Sequence, residues 1–375
     1  MSMYHCSKFV SQRFGYAHRH TGHIYIPLKY PSNSTQIFSL VFSNNTTMPC
    51  FDDSFTMNHT CYRIKDPKVS IPFYEKHFGM KLISHFELDG FTLYMMGYET
   101  VDPTNWAARP GILELCHNHG VEHDHNYTLN NGNGKEHRGF GHICISVDNI
   151  EECEKKLLAD GVKFQKKLAD GRQHNIAFAL DPNGYWIELI EHGNGKATAK
   201  TDESNYQFNH TMIRVKDPVK SLKFYREVLG MKLFRTHESE AGKFTLYFIG
   251  YDHSGIKEGE VDRDIVAAKQ GVIELTHNWG TENDDSFEGY HNGNSTENGA
   301  LQGYGHTCVS CDHPGKFCEE IESEFGDSVT WSVKWNKGGM KDLAFIKDPD
   351  GYSVEIIGRQ MFSDWKDGKP PSANL

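Results

Sequence analysis

The chain has 375 residues, enough for two domains of about 150 residues that each bury a core. Its 39 Lys and Arg residues are outnumbered by 50 Asp and Glu residues, and the net charge of −11 opposes binding to nucleic acid or to an anionic membrane surface. No apolar run approaches the roughly 18 residues of a membrane-spanning helix, so the sequence predicts no membrane span.

Residues 1–54 are predicted to be an extension that precedes the folded domains. This segment has no Asp or Glu up to Phe51 and carries scattered Lys and Arg, which is typical of a mitochondrial targeting segment. The alternative is a disordered stretch with no targeting role. The nine cysteines are odd in number and scattered, which favours free thiols in a reducing compartment. We therefore expect a cytoplasmic protein, with mitochondrial targeting as the alternative.

The rest of the chain contains the same sequence twice. Residues 58–82 align without a gap on residues 209–233, and 14 of these 25 positions are identical. Later motifs recur in the same order, which indicates two homologous domains. The predicted parts are a first domain (55–192), a linker (193–205), a second domain (206–358) and a frayed C-terminal tail (359–375).

Each domain has a readable order of elements. Asp66 and Pro67 supply an N-cap and a first turn for a helix that Gly79 ends, and the second copy has the same residue types. A strand precedes this helix and three aromatic and aliphatic strands follow it. The second part of each domain repeats the order, so the chain contains four βαβββ modules. We predict an α+β fold in which each domain forms one curved mixed sheet from its own two modules.

Acidic residues interrupt four of the apolar strands. An ionised carboxylate on such a strand faces solvent or needs a partner. One of them alone would be interpreted as an outward-facing residue, but four occur at equivalent places, beside four histidines. Two His and two Glu make one mixed nitrogen and oxygen metal site, so the sequence predicts two sites. The eight candidate ligands are His59, Glu114, His142, Glu188, His210, Glu274, His306 and Glu355.

The motifs around these residues resemble those of the glyoxalase I family, in the vicinal oxygen chelate superfamily, in the two-domain single-chain form typical of fungi. They read NHT-x-x-R-[IV]-KDP, LELxHN, RGFGHI and DPxGYWIE. The resemblance implies that each metal site takes ligands from both domains, although the sequence alone leaves pairing within a domain open. The implied sets are His59, Glu114, His306 and Glu355 for one site, and His210, Glu274, His142 and Glu188 for the other.

The resemblance implies a carbon–sulfur lyase, lactoylglutathione lyase, that detoxifies methylglyoxal. Its substrate would be the hemithioacetal of methylglyoxal and the co-substrate glutathione, which is isomerised to S-lactoylglutathione. A divalent cation would stabilise the enediolate, and Glu188 and Glu355 would transfer the proton as catalytic residues. An apolar pocket is expected to raise the proton affinity of these carboxylates. Zinc is the expected metal, with nickel and cobalt as alternatives.

Glutathione carries two carboxylates, so cations and amide donors should line its binding cleft. Two positions at one site depart from the family: Gln302 stands where the other site has Arg138, and Lys334 aligns only after a shift of one residue. The two sites should therefore differ in glutathione affinity. The implied substrate-binding residues are Arg214, Asn278, Arg138 and Lys166 at one site, and Arg63, Asn118, Gln302 and Lys334 at the other.

Two other functions are compatible with the fold. An extradiol-type dioxygenase uses two His and one carboxylate on iron, and the fourth ligand here counts against it. A metal-dependent binding protein of the same superfamily would not need paired ligands in four modules. Because the tandem chain supplies both halves of each site, a monomer is sufficient.

Overall fold

The computed structural model describes residues 51–98, 103–193, 200–338, 341–365 and 367–369, together with Pro49. Apart from Pro49 and residues 51–54, the predicted N-terminal extension lies outside the described residues. Within the described part of the chain, no helix is long and apolar enough to cross a membrane.

The first βαβββ module shows why the sequence forms these elements. Its helix begins where the Asp66 carboxylate accepts a hydrogen bond from the backbone N–H of Lys68, with Pro67 in the first turn. It ends at Gly79, whose φ of 68° lies in the left-handed region. The elements are β1 (Thr56–Arg63), α1 (Pro67–Phe78), β2 (Lys81–Leu88), β3 (Phe91–Gly97) and β4 (Ile112–Asn118).

The other three modules repeat this order. The second consists of β5 (Phe140–Val147), α2 (Ile150–Ala159), β6 (Phe164–Lys166), β7 (Ala177–Leu180) and β8 (Trp186–Glu191). The third consists of β9 (Gln207–Val215), α3 (Pro218–Lys223), β10 (Lys232–Ser239), β11 (Phe244–Gly250), the short α4 (Arg263–Ala267) and β12 (Val272–Asn278). The fourth consists of β13 (Tyr304–Cys311), α5 (Pro314–Phe325), β14 (Thr330–Val333), β15 (Leu343–Lys347) and β16 (Ser353–Gly358).

The modules combine into two eight-stranded mixed sheets, and each sheet takes one module from each half of the chain. The strand orders are β14-β15-β16-β13-β1-β4-β3-β2 and β10-β11-β12-β9-β5-β8-β7-β6. The halves meet where β1 pairs antiparallel with β13 and where β5 pairs antiparallel with β9. The four modules and the α+β class are confirmed, whereas the prediction that each half forms its own sheet is wrong.

This pairing has a simple physical origin. Within each module the first strand lies at an edge, because it pairs with the fourth strand on one side only. An unpaired edge carries backbone N–H and C=O groups that need partners, and the first strand of any other module can supply them. The local sequence pattern is therefore compatible both with pairing within a half and with pairing between halves, and it does not decide between them.

Side-chain alternation divides the two faces of each sheet. On β16, Val354 and Ile356 belong to the hydrophobic core that also contains Phe317 and Ile321 of α5. Because successive residues of a strand point to opposite faces, Glu355 between them points away from that core. The same alternation directs the side chains of the other candidate ligands away from that core. We call the face of the sheet that carries them the inner face, and the face that packs against the helices the outer face.

The segment after β16 is folded, so the prediction of a frayed tail is wrong for residues 359–365 and 367–369. Met361 is buried, and the rings of Phe362 and Trp365 lie 4.5 and 5.6 Å from the ring of Phe86 in β2. The backbone N–H of Glu87 donates to the carbonyl oxygen of Gly368 at 2.8 Å. Apolar side chains thus bind this segment to the first module, and residues 370–375 lie outside the described residues.

Candidate active site

Four side chains converge in each sheet, all of them buried except the half-buried His306, and we call the two groups site A and site B. Site B consists of His142, Glu188, His210 and Glu274. Nε2 of His210 lies 3.0 Å from Oε2 of Glu188 and 3.3 Å from Oε2 of Glu274, while Nε2 of His142 lies 3.2 Å from the same Glu188 oxygen. One donor atom from each residue lies within 4.8 Å of every other. Ligand bonds of about 2.0–2.2 Å to one cation span such a group.

Site A consists of His59, Glu114, His306 and Glu355. Nε2 of His59 lies 3.1 Å from Nε2 of His306 and 3.2 Å from Oε2 of Glu355. Glu114 approaches His59 to 3.6 Å and His306 to 3.8 Å. Cys308 is a further potential donor beside His59 and Glu355.

The sheet order explains why these residues meet. Site A takes one residue from each of four adjacent strands, β16, β13, β1 and β4, and site B does the same with β8, β5, β9 and β12. In both sites the two central strands supply the histidines and the two flanking strands supply the glutamates. Both groups therefore contain two residues from each half of the chain, as the resemblance implies, and neither is a grouping within one half.

An asparagine fixes the orientation of one histidine in each site. The side-chain N–H groups of Asn58 donate to the carbonyl oxygens of Trp106 and Arg109, so its amide oxygen faces Nδ1 of His59 at 2.7 Å. Asn209 holds Nδ1 of His210 at the same distance. Because Nδ1 then carries the proton, the lone pair on Nε2 points to the centre of the site.

The donor set fits a divalent cation. In site B, Oε2 of Glu188 is buried and lies close to two imidazole nitrogens, but it accepts no hydrogen bond of acceptable geometry. In site A, two imidazole nitrogens face one another at 3.1 Å. Buried lone pairs that converge in this way need an electrophile between them. Two imidazoles and two carboxylates are ligands that zinc, nickel and cobalt accept.

The acidity of the catalytic candidates differs from the sequence prediction. Burial favours a raised pKa for Glu188, but the charge of His142 and the close imidazole nitrogens of His142 and His210 outweigh burial and lower the pKa. Burial raises the pKa of Glu355 too, but the imidazoles of His306 and His59, at 3.5 and 3.2 Å, outweigh burial and lower it. The expectation of a raised proton affinity is thus wrong for the protein without its cation, because the imidazoles stabilise the carboxylates.

Comparisons with known proteins agree with this geometry. The sequence profile of the glyoxalase/bleomycin resistance protein/dioxygenase superfamily matches residues 56–189 and 207–356. Glyoxalase I of Saccharomyces cerevisiae is 52% identical over 82% of this chain and 93% of its own length. The chain belongs to the glyoxalase I family. Lactoylglutathione lyase of Schizosaccharomyces pombe is 44% identical over 81% of this chain and 96% of its own length. The crystal structure of glyoxalase I from Zea mays aligns with 82% of this chain and over 94% of the length of the maize chain. The two are 25% identical in sequence, with a TM-score of 0.60.

This glyoxalase I family member has a cleft of about 1240 Å³ above site A. Arg63, Asn118 and Gln302 line it, together with the four site A residues. Arg63 and Asn118 end the parallel strands β1 and β4, and Gln302 precedes β13. The structure therefore brings three of the four predicted substrate-binding residues of site A to one end of the cleft.

Lys334 is not part of this cleft. Its ammonium lies 3.3 Å from a carboxylate oxygen of Glu322 on α5, on the outer face of the sheet. Register explains the difference: Val333 pairs with Phe345 as Lys166 pairs with Phe178 in the other sheet, so Val333 occupies the place of Lys166. The cation that lines the site A cleft from this region is Lys341.

Three of the four predicted substrate-binding residues near site B have partners within the protein, and the fourth, Arg138, is exposed. Arg214 is buried and donates to the carbonyl oxygens of Gly139 and Phe140, and burial together with the charge of Arg138 lowers its pKa to about 10. Asn278 donates to the Tyr290 hydroxyl at 2.7 Å. Lys166 donates to the carbonyl oxygens of Gln173 and Ile176 at 2.6 Å each.

Sequence reasoning missed two features of these sites. It gave no role to Asn58 and Asn209, although both precede a candidate histidine in the repeated Asn-His pair, and that repetition was the available signal. It also assigned residues 360–365 to a frayed tail, whereas they line the site A cleft. Their signal was weaker, since only Met361, Phe362 and Trp365 interrupt a polar stretch.

Proposed function

We propose that this chain is a lactoylglutathione lyase that isomerises the hemithioacetal of glutathione and methylglyoxal to S-lactoylglutathione. The observation that carries the proposal is the convergence of two His and two Glu in each of two sheets, in a chain that is 52% identical to a glyoxalase I. Glutathione would be the co-substrate, and related 2-oxoaldehydes would replace methylglyoxal. An extradiol-type dioxygenase would need only three protein ligands, and a binding protein would need no carboxylate free to move a proton.

The cleft supports one orientation of the substrate. Strands β1 and β4 run parallel, so Arg63 and Asn118 lie at one end of the cleft, whereas His59 lies four residues earlier along β1, roughly 13 Å away. The polar end suits the carboxylates of glutathione. The sulfur and the two reacting carbons would then lie over the His and Glu residues, with the aldehyde side chain directed away from glutathione.

The proton transfer is assigned to Glu355 in site A and Glu188 in site B. Each carboxylate would take the proton from the carbon that bears the sulfur, and would return it to the neighbouring carbon of the enediolate. A divalent cation held by the two His and two Glu would stabilise the negative charge that develops on the adjacent oxygens.

We assign zinc as the cation, with nickel and cobalt as alternatives that the same donors accept. Each site has its four ligands within one chain, which supports a functional monomer. Metal analysis of the purified protein tests the first assignment, and light scattering tests the second.

The experiment measures S-lactoylglutathione formation by metal-replete wild type, Glu188→Gln, Glu355→Gln and the double variant. We expect each single variant to keep the activity of one site, and the double variant to lose about 10³-fold or more, because a general base contributes about 10²–10⁴-fold per site. Asp327→Asn, at an exposed turn, is the control and should keep full activity. An inactive wild type with bound metal would refute the lyase assignment.

A further inference from the structure

The apolar ends of the two sites are built from different residues. The carbonyl groups that hold Asn58 belong to Trp106 and Arg109, and those that hold Asn209 include the carbonyls of Val266 and Lys269. Positions 106 and 266 therefore correspond. The Trp106 ring lies 6.0 Å from the ring of His59 and lines the site A cleft, whereas the corresponding residue beside site B is the smaller Val266.

The second strands of the first and third modules, β2 and β10, also differ, and again the larger apolar side chain lies beside site A. Phe86 pairs with Leu93 as His237 pairs with Leu246, so Phe86 and His237 are equivalent. Phe86 is 2% exposed, whereas His237 is exposed. An apolar residue is thus covered beside site A, and a polar residue faces solvent at the matching place beside site B.

The cover over Phe86 is the C-terminal segment formed by residues 359–365 and 367–369. It leaves β16 in the fourth module, crosses the cleft and reaches β2 in the first module, where Lys369 lies 3.6 Å from Glu87. Phe362 and Trp365 lie 4.5 Å apart, line the cleft and pack on Phe86. The segment therefore adds two aromatic side chains to the apolar end of site A.

A fourth difference lies beside the catalytic glutamates. Ser353 pairs with His306 on β13, and Trp186 has the matching position next to β5. Ser353 lines the site A cleft, whereas Trp186 packs on Phe178, which itself contacts His142. Trp186 thus fills in site B the space that Ser353 leaves open in site A.

We propose that the two sites divide 2-oxoaldehydes by side chain, with site A taking aryl and other bulky adducts and site B taking small alkyl adducts. This inference rests on the proposed lyase function. In the orientation derived above, the aldehyde side chain points away from the polar end and towards Trp106, Phe362 and Trp365. A phenyl ring there gains apolar burial and edge or offset contacts with these rings, while a methyl group gains little.

The test compares the two one-site variants on preformed glutathione adducts of methylglyoxal and phenylglyoxal. Glu188→Gln retains site A, and Glu355→Gln retains site B. We expect the ratio of kcat/KM for phenylglyoxal over methylglyoxal to be about 10-fold higher for site A than for site B, since apolar pocket contacts discriminate by about this factor.

Trp365→Leu in each one-site background assigns the difference to the C-terminal segment. The ratio should fall about threefold or more in the Glu188→Gln background, as expected for loss of an aromatic contact, and should stay the same in the Glu355→Gln background. Equal ratios in the two one-site variants, or an equal effect of Trp365→Leu in both, would overturn the inference. The lyase function would survive that result, because it fails only if neither aldehyde is converted.

Discussion

At the residue scale, the chemistry of each site depends on neighbours that bind no substrate. Asn58 and Asn209 are fully buried, and each uses its donors on backbone carbonyls and its acceptor on a histidine. Both the amide orientation and the imidazole tautomer are thereby fixed. The loop before β4 or β12 provides those carbonyls, so the loop controls the histidine through the asparagine.

Removing either amide should weaken metal binding at one site only. Asn58→Ala and Asn209→Ala lose the acceptor for Nδ1, so the imidazole can rotate or change tautomer, and we expect cation affinity to fall by about 10–100-fold at that site. Competition with a chelator should then strip about one cation per chain before the other. Asn131→Ala is the control, because this side chain donates to the Gly184 carbonyl and accepts from the backbone N–H of Asn133, and neither residue is a candidate ligand. Equal retention of both cations in all three variants would contradict this role.

Asp348 makes the stability of the fold depend on pH. Burial and the nearby charge of Asp350 raise its pKa to about 8, and its oxygens accept hydrogen bonds from the Tyr225 hydroxyl and from the backbone N–H groups of Asp350 and Tyr352. Between pH 4 and 8 the native state therefore keeps a proton that the unfolded chain has released. The free energy of unfolding should fall as pH rises through this window.

Asp348→Asn removes this titration and keeps the hydrogen-bonding shape. We expect the variant to gain stability relative to wild type as pH rises from about 5 to 8, as measured by urea unfolding at each pH. Asp327→Asn, at an exposed position, should show no such trend. A stability difference between Asp348→Asn and wild type that stays constant with pH would show that Asp348 is ionised throughout.

At the scale of single elements, alternation along a strand decides which cation can reach the substrate. Val333 and Lys334 are adjacent on and after β14, so their side chains point to opposite faces. Val333 lines the cleft and Lys334 joins Glu322 on the outer face. A sequence alignment that shifts by one residue to match a lysine therefore selects the wrong face.

Lys334 and Lys341 should consequently behave differently in the Glu188→Gln background, where site A alone works. Lys341→Ala removes a cation from the cleft and should raise KM about fivefold, near the lower range for a charged hydrogen bond because Lys341 is exposed. Lys334→Ala should leave KM unchanged. Steady-state kinetics with the methylglyoxal adduct measure KM for both variants. A raised KM for Lys334→Ala with an unchanged KM for Lys341→Ala would show that Lys334, and not Lys341, contacts the substrate.

The helices and strands could be predicted from the sequence where interactions between neighbouring residues determine where an element begins and ends. Asp66 and Asp217 cap α1 and α3 through side-chain hydrogen bonds to nearby backbone N–H groups, and these interactions involve only neighbours in sequence. The candidate ligands were also recognisable, because the same residue types recur in four modules. Strand pairing was not predictable in this way, since β1, β5, β9 and β13 carry equivalent edges. The path of the tail depended on a distant contact with Phe86.

At the scale of the whole molecule, the two halves are interlocked. The first sheet joins modules one and four and the second joins modules two and three, so every sheet and every site needs both halves. The α1 helix also contacts the second module, where the Tyr74 hydroxyl donates to Asp181 at 3.2 Å. The repeat boundary in the sequence is therefore not a boundary between independent structural units.

Cutting the chain between the halves should leave the molecule intact. A protease site placed within residues 194–199 would separate the halves covalently, while the β1·β13 and β5·β9 pairings and both sites remain. We expect the cut protein to keep its elution volume and its activity, and to separate into two fragments only in denaturant. Thr201 and Asn205 would stay attached, because both donate to the Asp148 carboxylate. If instead two half-sized particles formed in native buffer, each half would have to complete its own sheet, and the sites would not span the halves.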